Sequence, residues 1–273
     1  MLISGNTISH NIAEWGGGIA PSGNTNTIIG NTIYSNTAIY EGGGVWLGDG
    51  EINLFGNTII SNTATSGAGF GCSMACTGTI AGNYFSGNYA TADGGGILIG
   101  GNPILKNNII VDNRADNLGS GIMISTGSLS SLLHNTFARN EGSSGVFITG
   151  GPVALTNNII VSHTLGLEVG SGATATIDST LWGNGVWANG TDWSGGGTIN
   201  HNNDYWGDPD FVDYLAGDYH IGGNSDAIDA GIDAGVTTDI DFHPRPYQAP
   251  DLGADEYWPP GMLTFIYLPL VTK

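Results

Sequence analysis

Three observations predict that this chain is all-β and wound as a right-handed parallel β-helix, a solenoid of about nine coils with a C-terminal capping segment. The phrase Gly-Asn-Thr-Ile-x-Ser-Asn returns along the chain at a nearly constant spacing. Apolar residues hold fixed columns of that phrase while their neighbours vary, as strands of period two require. The composition suits turns and strands: of 273 residues 47 are Gly and 26 Asn, and only 11% are charged. Gly and Asn are poor helix formers, so a helical protein is excluded. Collagen is excluded because no strict every-third-Gly pattern runs through the chain. Disorder is excluded because 40% of the residues are hydrophobic, enough to bury a core.

The first Asn of the phrase falls at Asn6, Asn31, Asn57, Asn83, Asn108, Asn135 and Asn158, with Thr180 and Asn203 read in the same frame. A second Asn follows at Asn11, Asn36, Asn62, Asn88, Asn113 and Asn140, and His163 then takes its place. Glycine clusters close each repeat at 16–18, 42–44 and 94–96, with looser forms at 67–69 and 119–121. The first apolar column reads Ile3, Ile28, Leu54, Ile80, Leu105, Leu132 and Leu155. The second reads Ile8, Ile33, Ile59, Phe85, Ile110, Phe137 and Ile160. After the glycines come Val45, Ile97, Ile122 and Val146, then Leu47, Ile99, Ile124 and Ile148. A period of this length is too short for a propeller blade of about 40 residues, and the Leu-x-x-Leu-x-Leu frame of leucine-rich repeats is missing. One coil per repeat, stacked in parallel at about 4.8 Å, is the remaining solution. The rule for parallel crossovers makes it right-handed. Asn suits the corners because it tolerates left-handed backbone and its amide reaches its equivalent one coil away.

The chain divides into coils over 1–205, an Asp/Gly/Pro-rich capping or anchor-type region over 206–258, and an apolar tail over 259–273. Thirteen of the 24 acids lie from Asp204 onward. A net charge of −19 excludes nucleic acid and anionic membrane surfaces as partners. No apolar stretch is long enough to span a bilayer. Cys72 and Cys76 stand four apart in a Gly-rich loop. The sequence leaves a small disulfide and free thiols both open, and the missing neighbouring ligands speak against a metal site there.

The coils resemble the right-handed parallel β-helix repeats of polysaccharide-active enzymes and bacterial surface proteins. In the tail, Asp208-Pro209-Asp210-Phe211-Val212-Asp213, Gly217-Asp218-Tyr219-His220-Ile221 and Ser225-Asp226-Ala227-Ile228-Asp229-Ala230-Gly231 follow in order. Then come Asp239-Ile240-Asp241, Pro244-Arg245-Pro246 and Asp251-Leu252-Gly253-Ala254-Asp255-Glu256-Tyr257. This order resembles the C-terminal region of bacterial choice-of-anchor Q proteins. That resemblance implies export and attachment at the cell surface, and so an extracellular location. No export signal is visible before the first repeat, so the chain reads as a piece of a longer protein.

Lyases on this fold use a basic residue as proton acceptor and a cation or Arg against the uronate carboxylate. Lys106, Arg114, His134 and Arg139 are the candidates here. Their register offers a plainer reading, in which Asp112 with Arg139 and Arg114 with Glu141 stack as surface ion pairs across coils. Hydrolases use grouped carboxylates, for which Glu41 and Asp93, beside the glycine clusters, are the candidates. Solvated turn acids are the plainer reading of both. Asp226, Asp229, Asp239 and Asp241 supply oxygen ligands of the kind Ca²⁺ takes, although no spaced calcium loop is present; otherwise no cofactor is expected. Arg245 reads as a structural fork toward a tail carboxylate. On the outer side of the post-glycine strands, Trp46, Leu98, Met123 and Phe147 form an apolar stripe. It is read either as covered by the tail at 262–271 or as a platform for sugar rings or a protein. The functional expectation is a surface-associated module binding polysaccharide or a surface protein without catalysis. The alternatives are a lyase or glycoside hydrolase with a site across several coils, and a structural unit that self-associates end to end.

Overall fold

Each repeat folds as one coil of four short stretches, and the corners between them fall at the residues that recur. The computed structural model describes residues 1–72, 76–125 and 129–262. The first face runs from Leu2–Ser4 through Thr25–Ile29, Gly50–Phe55, Cys76–Ala81, Ile104–Lys106 and Ser131–Leu133 to Pro152–Thr156. The second runs from Thr7–Ser9 through Tyr84–Ser86 and Ile109–Val111 to Ile159–Val161. Both faces merge in the long strand Thr174–Gly183, which pairs with Thr198–Gly207. A short third face carries Thr37–Ala38 and its equivalents, and a fourth runs from Val45–Trp46 to Thr191–Gly195. Every pairing within these sheets is parallel, as in Ile28 with Leu54 and Phe85 with Ile110. Nine rungs on the first face, joined by eight full turns, meet the coil count expected from the sequence.

The predicted columns form the interior. From Ile28, Ile33 and Val45 onward they are fully buried as far as Leu155, Ile160 and Ile148, with Ile3 and Ile8 partly covered in the first coil. The two Asn columns form continuous amide ladders. Asn57 is representative: its Oδ1 accepts the backbone N–H and the Nδ2 of Asn31, at 2.9 and 3.0 Å. Its own Nδ2 donates to Asn83 Oδ1 and to the carbonyls of Ile28 and Phe55. Every polar atom of a buried amide is thereby used, which is the condition for burying it without a desolvation penalty. Each corner also needs left-handed backbone just before the Asn. At the first corner Gly5, Gly30, Gly56, Gly82, Asn107, His134, Asn157 and Ser179 all have φ between 52° and 65°. The glycine clusters answer to a close approach: a Cβ on Gly43 would stand 2.5 Å from Thr63 O, and one on Gly44 2.6 Å from Gly69 O.

Three details differ from the sequence reading. Thr180 pairs with Asp204, so Asn203 stands one residue out of the ladder frame, in the left-handed position of Ser179. Cys72 and Cys76 form a disulfide that closes the corner between the fourth face and the next first face. The third concerns the C-terminal segment, which over the described residues up to 262 does not lie across the last rung. That rung, Thr198–Gly207, has seven of its ten residues exposed. From 208 the chain instead turns back along the outside of the second face, through the antiparallel pair Phe211–Asp213 and Asp218–Ile221. Phe211, Tyr219, Ile221, Ala227, Leu252 and Ala254 cover the outward side chains Ile109, Val111, Ala138, Ile159, Val161 and Leu181 in a second core. The physical reason is that this apolar surface lies on the flank.

Candidate functional site

The basic residues predicted to share a site are dispersed over the coil. Lys106 points outward from the first face, in a hollow it shares with Phe55, Asn107, Thr238 and Phe242. Arg114, on the third face, pairs with Asp116 at 2.9 Å. Its expected partner Glu141 is only a backbone neighbour, because Asp116 two residues on is nearer to hand. Arg139 pairs with Asp112 at 2.8 Å, as the register predicts. That pair serves docking: Tyr219 donates to Asp112 at 2.8 Å, and the Arg139 guanidinium lies over the Tyr214 ring.

His134 is buried under the docked segment. Its Nε2 accepts from Asn157 Nδ2 at 2.8 Å, and Nδ1 faces Asp251 O and Arg245. Burial, and then the Arg245 charge, push its pKa down to about 2, which favours the neutral ring. His163 occupies the second ladder between Asn140 and Asn189. Burial, opposed by the bond to Asn189, lowers it to about 4. Arg245 is the predicted fork. Fully buried, it donates to the carbonyls of Asp251, Gly253 and Asp255 and stands 3.5 Å from Glu256. Burial raises Glu256 and lifts Asp251 to about 7 and Asp255 to about 6.

The acids predicted near the glycine clusters are separated too. Asp93 accepts from Asn117 Nδ2 and Leu118 N, tying two coils together. Glu41 forms a backbone bridge to Ser66. Of the calcium candidates, Asp226 accepts from Asp208 N, Asp229 from Ala249 N, and Asp239 from Asp241 N and His243 N. These three shape turns and do not converge. Asp241 does meet other ligand-bearing groups, namely His220 and Asp255, with one ligand atom of each within 4.8 Å of the others. The contact with Asp241 first, then Asp255 and Asp218, against burial, raises His220 to about 10. Sequence reading missed His220 and Asp255 because they lie 35 positions apart outside the repeat; the one available signal was the alternation that turns His220 away from buried Tyr219.

The apolar stripe stacks in the expected register, Trp46 beside Gly71, then Leu98, Met123 and Phe147. It is not an open platform. Leu98 and Phe147 are 6% and 7% exposed, with Leu98 tucked against the glycine turns at Gly67 and Gly94. The tail proposed to cover it, 262–271, lies outside the described residues apart from Met262. What does reach the surface is an aromatic cluster at one end of the stripe. Trp46 lies 5.1 Å from Trp15, which lies 4.9 Å from Tyr40, centroid to centroid. Trp15 is 39% and Tyr40 48% exposed. Trp15 was not singled out from the sequence, since it precedes the glycine cluster where no column is apolar. Rings half in water offer faces for a flat apolar partner such as a sugar ring.

The family model described as a right-handed β-helix region matches residues 17–181, more than half of the chain. No curated protein and no solved structure matches it.

Proposed function

The chain belongs to the right-handed β-helix family, and from that premise we propose that it is a surface-associated module that binds polysaccharide without catalysis. The cluster of Trp15, Tyr40 and Trp46 carries this reading: the exposed rings of Trp15 and Tyr40, tilted 33° to each other, lie at the surface of the rod with Trp46 packed behind them. Catalysis is disfavoured because the candidate groups are dispersed or committed, His134 to Asn157, Arg139 to Asp112 and Asp93 to the next coil. The Cys72–Cys76 disulfide supports an oxidising, extracellular setting. The order of motifs between 208 and 257 supports attachment at a cell surface.

Binding to a glycan microarray tests the reading. The wild-type chain is expected to retain a polysaccharide, and Trp15→Ala with Trp46→Ala to weaken it at least about tenfold, equivalent to about 1.4 kcal/mol. Unchanged binding in that double variant would remove the cluster from the argument. Release of unsaturated uronate, followed by its ultraviolet absorbance, would make the chain a lyase instead.

A further inference from the structure

We infer that the aromatic cluster takes an uncharged polysaccharide and not a polyuronate, with the Glu41 carboxylate and the Trp46 indole N–H as the polar groups that hold its hydroxyls. This assignment rests on the glycan-binding reading of that cluster, and it adds the chemical class of the glycan.

Glu41 and Trp46 back onto the same glycine turn. Gly42, next to Glu41, approaches Trp46 so closely that a Cβ on it would stand 2.5 Å from Trp46 Cβ. Gly71 pairs in register with Trp46, and a Cβ there would stand 3.2 Å from Glu41 Cβ. The gap that Gly71 leaves in the outward stripe is thus bordered by Glu41. Trp15 joins the set from the adjoining coil. Its neighbour Gly16 donates to Glu41 O at 3.0 Å, and its ring lies against both Tyr40 and Trp46.

Two polar atoms of this set are unspent. Glu41 Oε2 and Trp46 Nε1 are both buried, and neither has a hydrogen-bond partner among the described residues. A carboxylate oxygen and an indole N–H withdrawn from water without partners cost free energy that a suitable ligand recovers. The first can only accept and the second can only donate, whereas a hydroxyl does both. Hydroxyls of one sugar ring therefore answer to the two atoms together. The side chains of the cluster that reach water are Trp15 and Tyr40, 39% and 48% exposed. A turn of the Trp15 ring, which a surface side chain makes readily, opens the way for a sugar stacked on it.

Charge decides against an acidic glycan. No Lys or Arg precedes Lys106, whereas Glu14, Glu41, Asp49 and Glu51 all stand in the first three coils. A uronate brought to Glu41 meets a like charge with no cation beside it. Arg114 and Arg139, in later coils, are already paired with Asp116 and Asp112.

A microarray of neutral hexose polymers, polyuronates and a glucosamine polymer, probed with the full chain, tests this. The wild type is expected to retain a neutral polymer, with little dependence on salt, and no polyuronate. That selectivity needs no variant to fold. Trp46→Phe keeps a ring and removes the N–H. It and Glu41→Ala are each expected to keep their circular dichroism and weaken neutral binding about fivefold, with Glu41→Gln, which keeps an acceptor, in between. Three results would overturn the inference and leave the glycan platform standing. They are retention of a polyuronate, preference for the glucosamine polymer at high salt, and neutral binding undiminished in both Trp46→Phe and Glu41→Ala. Retention of no polymer at all would remove the platform itself, and the inference with it.

Discussion

The second face of the solenoid is built twice, once to meet water and once to meet protein. In the first three coils its outward side chains are Thr7 and Ser9, Thr32 and Tyr34, Thr58 and Ile60, and in the fourth Tyr84 and Ser86, of which Tyr84 already packs against the edge of the second core. From the fifth they become Ile109 and Val111, Thr136 and Ala138, Ile159 and Val161, all buried under the returning segment. The corner changes with it. Four left-handed glycines give way to Asn107, His134 and Asn157, and each of these bonds to the segment: Asn107 to Thr238 O, His134 to Asp251 O, Asn157 to Ile232. The inner apolar columns stay apolar throughout, and the ladders keep their amides as far as Asn158 and Asn140, with His163 taking the next place in the second. A repeat can thus keep its fold while its outer positions alone decide what lies against it.

The largest expected effect separates the two halves directly. Val161→Asp places a charge in the second core, with no partner, and is expected to cost about 4 kcal/mol in urea unfolding. Ile60→Asp, at the equivalent outward position of an uncovered coil, is expected to cost under about 1 kcal/mol. Equal costs would mean that the segment is not docked in solution.

Acid should distinguish the halves next, because both buried histidines, His134 and His163, stand in the covered half. Each has a folded pKa below its unfolded value, so the unfolded chain takes up a proton first as pH falls through about 6.5. Their neutral forms thus contribute full stability above that pH, lost progressively down to about 4 for His163 and about 2 for His134. For His163 the loss amounts to roughly 3 kcal/mol. His163→Asn, which restores the ladder amide, is expected to flatten the slope of stability with pH between about 4 and 6.5. An unchanged slope would show that the imidazole is not held neutral.

The smallest effect concerns the corner. Asn107→Gly removes the bond to Thr238 O and is expected to cost about 1 kcal/mol. Gly56→Asn, where nothing stands within 4 Å of a new Cβ, is expected to change stability by less than about 0.5 kcal/mol. A reversal of that order would uncouple the corner residues from docking.

The coils were legible because burial and hydrogen bonding act on the same positions in every rung: Ile28 or Asn57 must satisfy its equivalents above and below. The ladder frame failed only at Asn203, where Thr180 and Asp204 replaced the amides that mark it. The docked flank was less legible. Runs such as Ile109-Ile110-Val111 and Ile159-Ile160-Val161 are apolar on both sides of the strand, which is the mark of a face covered inside and out. Read for the inner column alone, they yield only Ile110 and Ile160. The grouping of His220, Asp241 and Asp255 follows from how the segment folds back, and no periodicity encodes that.

The amide ladders also make length a free variable. Asn57 and Asn83 are neighbours in one ladder and stand at equivalent points of successive turns. Excising residues 57–82 joins Gly56 to Asn83, lets Asn31 donate where Asn57 used to accept, and removes both cysteines together. Such a gene can lose or gain one whole winding without leaving an orphaned amide, so the reach of the rod is open to change while its cross-section stays fixed.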